Sequence, residues 1–306
     1  MRMSGFADEA ADRLDGQLAA TRELGWDRVE LRSVDGVNVV DLDEAAFRRL
    51  RGSLRDSGVG VSCLGSTIAN WGKSLDEDFA PVLVSAERAG RRASELGAPF
   101  VRIMSWAIIM EAGGRAAADQ REAERFAKLR EIVARIAAAG AKAIHENCMN
   151  YGGMSVEHSL RLLDAVPGLD LVYDTGNPGL TPDFRRPWPY PNQDSWECYK
   201  ALRGRIVHVH VKDGSRDPAT GKERYFFPGE GSCEVGRILA DLIGTGYEGD
   251  FSIEPHMAVV FHDETVRSSE EARYANYLEY GRRAERLLVS LGARLGGVSE
   301  TSGSRP

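Results

Sequence analysis

The chain predicts a closed barrel of eight parallel strands, each followed by a helix, and three observations carry that prediction. Short apolar runs alternate with longer amphipathic segments, there are eight of each, and several amphipathic segments stop on a glycine just before the next run. Repeating β-α units of roughly 30 to 40 residues then fill the chain, which is the rhythm of a single-domain (β/α)8 TIM barrel. The structural rival, a doubly wound open sheet, has no GxGxxG after the first run to support it.

The apolar runs lie at residues 3–6, 28–31, 59–64, 100–104, 141–146, 169–174, 206–211 and 250–254. Between them apolar residues recur three or four apart, as in Leu14, Leu18 and Leu24, or Phe126, Leu129, Ile132 and Ile136. Further stretches of this kind surround Phe47, 79–96, Leu160, Tyr199 and Leu242, and the last covers 274–291. Gly25, Gly58, Gly97, Gly140 and Gly246 stand where a left-handed helix cap is expected. Two segments break the rhythm. Residues 177–192 hold five of the twelve prolines together with Phe184, Trp188 and Tyr190, and 213–231 is polar. Long ordered loops on the catalytic face commonly act as lids or substrate walls. The barrel is assigned to residues 1–295 and a frayed tail to 296–306.

The chain has 306 residues, 42% hydrophobic and 28% charged, with 39 Lys and Arg against 46 Asp and Glu, for a net charge of −7. A fold of this size buries roughly three quarters of its unfolded surface, so neither disulfides nor a metal are needed merely to hold it together. The acidic balance argues against a nucleic-acid partner or a membrane surface. Cys63, Cys148, Cys198 and Cys233 show no CxxC spacing, and the N-terminus meets Asp8 and Glu9 before any apolar core of a signal peptide. The expectation is a cytoplasmic protein acting on a small molecule, with homo-oligomerisation left open.

Chemistry gathers at the ends of the later runs. The fifth ends in His145-Glu146-Asn147, the sixth in Asp174-Thr175-Gly176-Asn177, the seventh carries His208-Val209-His210-Val211-Lys212-Asp213, and the eighth ends in Glu254-Pro255-His256. In a barrel these ends converge on one mouth. A buried carboxylate on its own needs a partner to offset desolvation, and four ligand-type residues on four successive strand ends point to a shared cation. Glu146, Asp174, His210 and Glu254 offer oxygens and one imidazole, a set suited to one divalent ion, Mn2+ first, with Mg2+ or Co2+ as alternatives. Alternation puts His208 and His210 on one face, His208 lying below as a hydrogen-bonded support. Such an ion fits a Lewis acid that stabilises an enediolate after α-proton removal, with Glu146 and Glu254 exchanging the proton.

At these residues the chain resembles the sugar phosphate isomerase/epimerase superfamily, the xylose isomerase-like TIM barrels. The resemblance runs from Gly5-Phe6-Ala7-Asp8-Glu9 and Glu30-Leu31-Arg32 through the four strand ends above to Pro228-Gly229-Glu230-Gly231, covering about residues 4–290. It implies a divalent metal held by Glu146, Asp174, His210 and Glu254, a carbohydrate substrate, and Glu146 and Glu254 as the proton-transfer pair of a ketose epimerase. The family's substrate-contacting histidine and arginine fall at Asn177 and Arg216; the arginine is kept, the histidine is not. Gly65-Ser66-Thr67-Ile68-Ala69-Asn70-Trp71 departs from the family's usual loop, and Met149 stands where histidine is common. Both departures point to altered substrate choice.

The functional expectation is therefore a metal-dependent sugar or keto-sugar isomerase or epimerase. The alternative is a lyase or dehydratase that eliminates the aglycone of a 3-keto glycoside, with Trp71, Trp188 and Tyr190 around the aglycone and His145 as a candidate base, although alternation points it away from Glu146. Lys212 is expected to donate to a substrate oxygen or to pair with Asp213 or Glu230. A non-catalytic sugar-binding relative and an abasic-site endonuclease rank lower; the latter needs more histidine ligands, and His158 and His262 fall off the strand ends. Around Gly229-Glu230-Gly231-Ser232, a turn with Ser232 capping the next helix is preferred to a phosphate-binding nest.

Overall fold

The computed structural model describes residues 1–259 and 268–296. Eight parallel strands form one sheet: β1 (Met3–Gly5), β2 (Arg28–Leu31), β3 (Gly60–Gly65), β4 (Phe100–Ile103), β5 (Lys142–Glu146), β6 (Asp170–Asp174), β7 (Ile206–Val211) and β8 (Phe251–Ile253). Neighbours in sequence are neighbours in the sheet, β8 pairs back onto β1, and a parallel bridge between Phe6 and Glu30 joins β1 to β2. The result is the expected barrel. The helices after successive strands are α1 (Leu14–Glu23), α2 (Glu44–Ser57), α3 (Phe79–Leu96), α4 (Glu122–Ala138), α5 (Val156–Ala165), α6 (Ser195–Leu202), α7 (Val235–Gly244) and α8 (Glu270–Ser290). None of the described helices is long and apolar enough to cross a membrane. Of the proposed tail, residues 297–306 lie outside the described residues.

Local chemistry explains the element ends. Asp43, Asp78, Ser155, Asp194 and Ser269 each accept a hydrogen bond from a backbone N–H in the first turn of the helix that follows. Apolar stripes face the sheet: Leu129, Ile132 and Ile136 of α4 are wholly buried, as are Val101 and Ile103 of β4. Gly90 is among the glycines dictated by contact rather than by dihedral angle. A Cβ on Gly90 in α3 would stand 2.7 Å from Ala139 Cβ and 2.8 Å from the Ile136 carbonyl oxygen, so Gly90 lets α3 approach the end of α4.

Two hairpins were not anticipated. Ser33–Val34 pairs with Val37–Asn38 across Asp35 and Gly36, whose φ values of 51° and 75° suit a tight hairpin turn. Asp213–Arg216 pairs with Glu223–Phe226, so much of the polar segment after β7 is an antiparallel ribbon rather than an irregular loop. The proline-rich segment is also tied down. It opens with a helical turn, Asn177–Leu180, then Asp183 N donates to Pro191 O and Gln193 N to Thr181 O, and Arg185 pairs with Asp183, Glu157 and Glu197.

Gly58 and Gly97 cap α2 and α3 at φ of 70° and 66°, and nothing lies within 4 Å of an added Cβ at either. Ala at either site should cost about 1 kcal/mol, read from the denaturant midpoint, through backbone conformation alone. Gly90→Ala meets backbone and side-chain atoms instead and should cost more than either cap substitution.

Candidate active site

Alternation along the strands sends every second residue inward, and near the C-terminal ends many of these inward residues are charged. Glu30 on β2, Arg102 on β4, Glu146 on β5, Asp174 on β6, His208 and His210 on β7, and Glu254 just past β8 are all buried. Residue pairing fixes their heights, since Asp174 stands opposite His210 and Ser252, two residues before Glu254, also stands opposite His210. Glu146, Asp174, His210 and Glu254 each present one ligand-type atom within 4.8 Å of the others. The four residues singled out from the sequence are thus brought together.

His210 holds the centre of this group. Its Nε2 lies 3.2 Å from Glu30 Oε1, and the other Glu30 oxygen lies 2.8 Å from His208 Nε2. An ionised carboxylate only accepts, so the His210 proton on this side sits on Nε2 and Nδ1 points the opposite way. Nδ1 is buried, has no hydrogen-bond partner, and lies 3.9 Å from both Glu146 Oε1 and Glu254 Oε2. A buried nitrogen lone pair between two carboxylates, with a third carboxylate alongside, fits a hard divalent cation. Burial opposes charge on His210, but Glu30 and Glu146 outweigh it and raise the ring to about 10. Without an ion Nδ1 therefore carries a proton at neutral pH, and a divalent ion would have to displace it to bind there.

The carboxylates are held by cations and amides. Glu146 accepts from Arg102 and, at 3.2 Å, from Asn177 Nδ2; burial would raise it, yet Arg102 and His210 bring it down to about 2. Asp174 Oδ1 accepts from the backbone N–H of Gly176 and Asn177, both at 2.8 Å, which turns Oδ2 towards Lys212 Nζ at 2.9 Å. Burial lifts Asp174 to about 6 against the pull of Lys212. Glu254 accepts from Lys212 Nζ at 2.9 Å and Arg32 Nη1 at 3.0 Å, and Lys212, His256 and His210 override burial to hold it well below the usual range.

Glu146, Glu254, Asn177, Lys212 and Trp71 line a cavity of 670 Å³ at this mouth. His145, His208 and Arg216 do not. His145 faces outward, its Nε2 lying 3.0 Å from Ser105 Oγ and 3.1 Å from Asn150 Oδ1, and burial pushes it down to about 4. His208 sits beneath His210, and Arg216 donates to Asn192 Oδ1 at 2.8 Å, fastening the ribbon to the proline-rich segment. Lys212 pairs with Asp174 and Glu254, not with Asp213 or Glu230, because alternation turns its side chain to the same inner face as His210. Trp188 and Tyr190 meet edge to face outside the cavity lining, while Phe184 and Trp71 form part of it. His158 lies away from the strand ends, 2.8 Å from Ser155 Oγ, and His262 lies outside the described residues.

Ser232 does not cap α7. It donates to Gly214 O, and Glu234 immediately precedes the helix. The glycine loop does gather amide N–H groups, but around the chain's own Asp213, which accepts from Gly214, Gly229, Gly231 and Cys233 at 2.8 to 3.3 Å.

Sequence reasoning missed Glu30, Arg32, Arg102, Glu9 and His256 as site residues. Arg32 bonds Asp8 and Glu254, while Glu9 receives both the backbone N–H of His256, at 2.8 Å, and its ring, at 2.9 Å from Nδ1. The available signal was a charge inside an apolar strand, as in Phe100-Val101-Arg102-Ile103 and Arg28-Val29-Glu30-Leu31.

The sequence pattern of the xylose isomerase-like TIM barrel matches residues 18–280. The chain belongs to that family. As a xylose isomerase-like TIM barrel, it superposes on a D-tagatose 3-epimerase-like protein with TM-score 0.70 and 17% identity, covering 95% of this chain and 98% of the other. A xylose isomerase-like TIM barrel protein from Mycobacterium smegmatis, solved in complex with magnesium, gives 0.64 and 18%, over 94% and 97%. The probable 3-DHS dehydratase AsbF of Bacillus anthracis, involved in petrobactin synthesis, gives 0.63 and 18%, over 90% and 97%. No curated protein matches by sequence.

Chelator-treated protein titrated with Mn2+ should take up one ion per chain with a rise in Tm. Glu30→Gln, which loosens the support behind His210, should weaken uptake roughly 10- to 100-fold, whereas Arg216→Ala should leave it unchanged.

Proposed function

We propose that this protein is a divalent-metal-dependent isomerase or epimerase of a sugar or keto-sugar. The observation that carries this reading is the buried, partnerless Nδ1 of His210, 3.9 Å from one carboxylate on each side, both of which line the cavity. Bound there, a divalent ion, Mn2+ in our reading, would supply Lewis-acid polarisation of neighbouring substrate oxygens. Glu146, Asp174, His210 and Glu254 would hold it.

The chain's own residues supply the proton chemistry. One of Glu146 and Glu254 takes the proton from the carbon next to the substrate carbonyl, and the C–H electron pair moves into the new C=C bond as the carbonyl pair moves onto oxygen. For epimerisation the second glutamate first takes up a proton from water and delivers it to the opposite face of the same carbon, the C=C pair forming the new C–H bond as the oxygen pair re-forms the carbonyl; delivery to the former carbonyl carbon, with the neighbouring hydroxyl releasing its proton to become the new carbonyl, gives isomerisation. Both carboxylates are ionised at neutral pH, because Arg102 holds Glu146 down to about 2, as the cations around Glu254 do for that residue. Asn177 and Lys212 reach the cavity and position substrate hydroxyls. The outward placement of His145 leaves the base role to the glutamates. A cytoplasmic setting is supported by four cysteines that are all free thiols.

A second reading, elimination from a 3-keto glycoside, begins with the same proton removal and is favoured by the Trp71 and Phe184 side chains in the cavity wall. Incubation of ketoses, their phosphates and 3-keto glycosides in D2O separates the two. Epimerisation leaves one solvent deuterium and an otherwise unchanged mass, whereas elimination releases a second product. Glu146→Gln and Glu254→Gln should each lower turnover about 10²- to 10⁴-fold with the fold intact, and full activity in EDTA-treated protein would sink the metal requirement.

A further inference from the structure

The parallel ladder between β5 and β6 stops short of Asp174. Glu146, the last residue of β5, stands opposite Val172, so Tyr173 and Asp174 run on beyond the end of that strand. On the other side Asp174 lies opposite His210 of β7, but the backbone group that bonds across is its neighbour's: Thr175 N donates to His210 O at 3.0 Å. The N–H and C=O of Asp174 therefore face the side that β5 has already left. Asp174 is wholly buried, and buried backbone groups without partners are costly.

Asn147 fills this gap with a side chain. Its Oδ1 accepts from Asp174 N at 2.7 Å, and its Nδ2 donates to Asp174 O at 3.0 Å. A primary amide carries a donor and an acceptor on one plane, as a peptide group does, so one side chain stands in for the missing strand. A carboxylate could make only the first of these bonds, and an aliphatic group neither.

The segment from which Asn147 reaches is itself anchored. Asn150 Nδ2 donates to Glu146 O at 3.2 Å, while Asn150 Oδ1 accepts from Ser105 Oγ at 2.5 Å and from Gly152 N at 3.0 Å. His145 Nε2, 3.1 Å from the same oxygen, joins this cluster from the outer face of β5. Asn147 and Asn150 are both buried, and neither is among the residues that line the cavity. What they hold is backbone, that of Glu146 and that of Asp174.

We propose that Asn147 is a positioning residue that sets the Asp174 carboxylate against that of Glu146, with Asn150 holding the segment between them. Asp174 Oδ1 is aimed locally by the N–H groups of Gly176 and Asn177; Asn147 fixes where the peptide that carries this carboxylate stands relative to β5. The role goes beyond the metal reading, and only the affinity measurement below rests on that reading.

Mn2+ is titrated into the chelator-treated full-length protein, with the free ion read by electron paramagnetic resonance. Asn147→Ala should weaken binding roughly 10- to 100-fold. Asn147→Gln keeps the amide but sets it one methylene too far, so it too should weaken binding, and it serves if the alanine variant folds poorly. In an Asp174→Ala background the loss caused by Asn147→Ala should shrink to about twofold or less, since a residue acting through Asp174 then has nothing left to position. Crystal structures of the metal-free parent and both variants give a second readout. The Asp174 carboxylate should move by about 0.5 Å or more relative to Glu146 while the ends of β7 and β8 superpose. Absence of Mn2+ uptake by the parent would strike the metal reading alone, and the crystal structures then decide the role of Asn147. Parent-like affinity in both variants, an equal loss with and without the Asp174 side chain, or an Asp174 carboxylate that stays in place would overturn the proposal.

Discussion

Charge taken out of water is the constraint around which the upper half of this barrel is arranged. Glu30 is wholly buried and would be costly alone, yet each of its oxygens meets a histidine, His208 below and His210 above. That bridge fixes which His210 nitrogen carries hydrogen, and so turns the other nitrogen towards the carboxylates at the mouth. The remaining charges repeat the same logic with different partners: Arg102 for Glu146, Lys212 for Asp174 and Glu254, Arg32 for Asp8 and Glu254. Breaking any one pair strands a buried ion, which makes the cluster mutually dependent.

This dependence ties distant parts of the chain to one another. Glu30 and His208 lie 178 residues apart in sequence, and Glu9 and His256 lie 247 apart. The first two and last two strands of the barrel are therefore joined through side chains as well as through the backbone pairing of β1 with β8. Precision at the mouth follows from this, because each carboxylate is held by at least one strand other than its own.

The barrel was legible from the sequence because its signals are local: apolar runs of strand length, amphipathic spacing and glycine caps such as Gly58 and Gly97. The four convergent residues were legible too, since Glu146, Asp174, His210 and Glu254 all sit at strand ends that the barrel brings together. What escaped was pairing between strands far apart in sequence. Nothing local to Arg102 says that it reaches Glu146, or that Arg32 reaches Glu254. Spacing also misled where the backbone turns. Arg216, six residues past His210, follows an antiparallel ribbon out to Asn192, and Trp188 and Tyr190 are aromatic and nearby in sequence yet brace each other instead of lining the cavity.

The loop of Gly229 and Gly231 has a consequence of its own. Several amide N–H groups converging on one point make the kind of pocket that elsewhere grips a phosphate, but here the Asp213 carboxylate already fills it. A tethered anion acts as a latch, joining the ribbon after β7 to the start of α7 and giving the cavity a fixed rim. In this chain the loop serves as a fastener and its amides are already taken. Any lineage that came to use this loop for phosphorylated sugars would first have to give up the side chain that now keeps the rim in place.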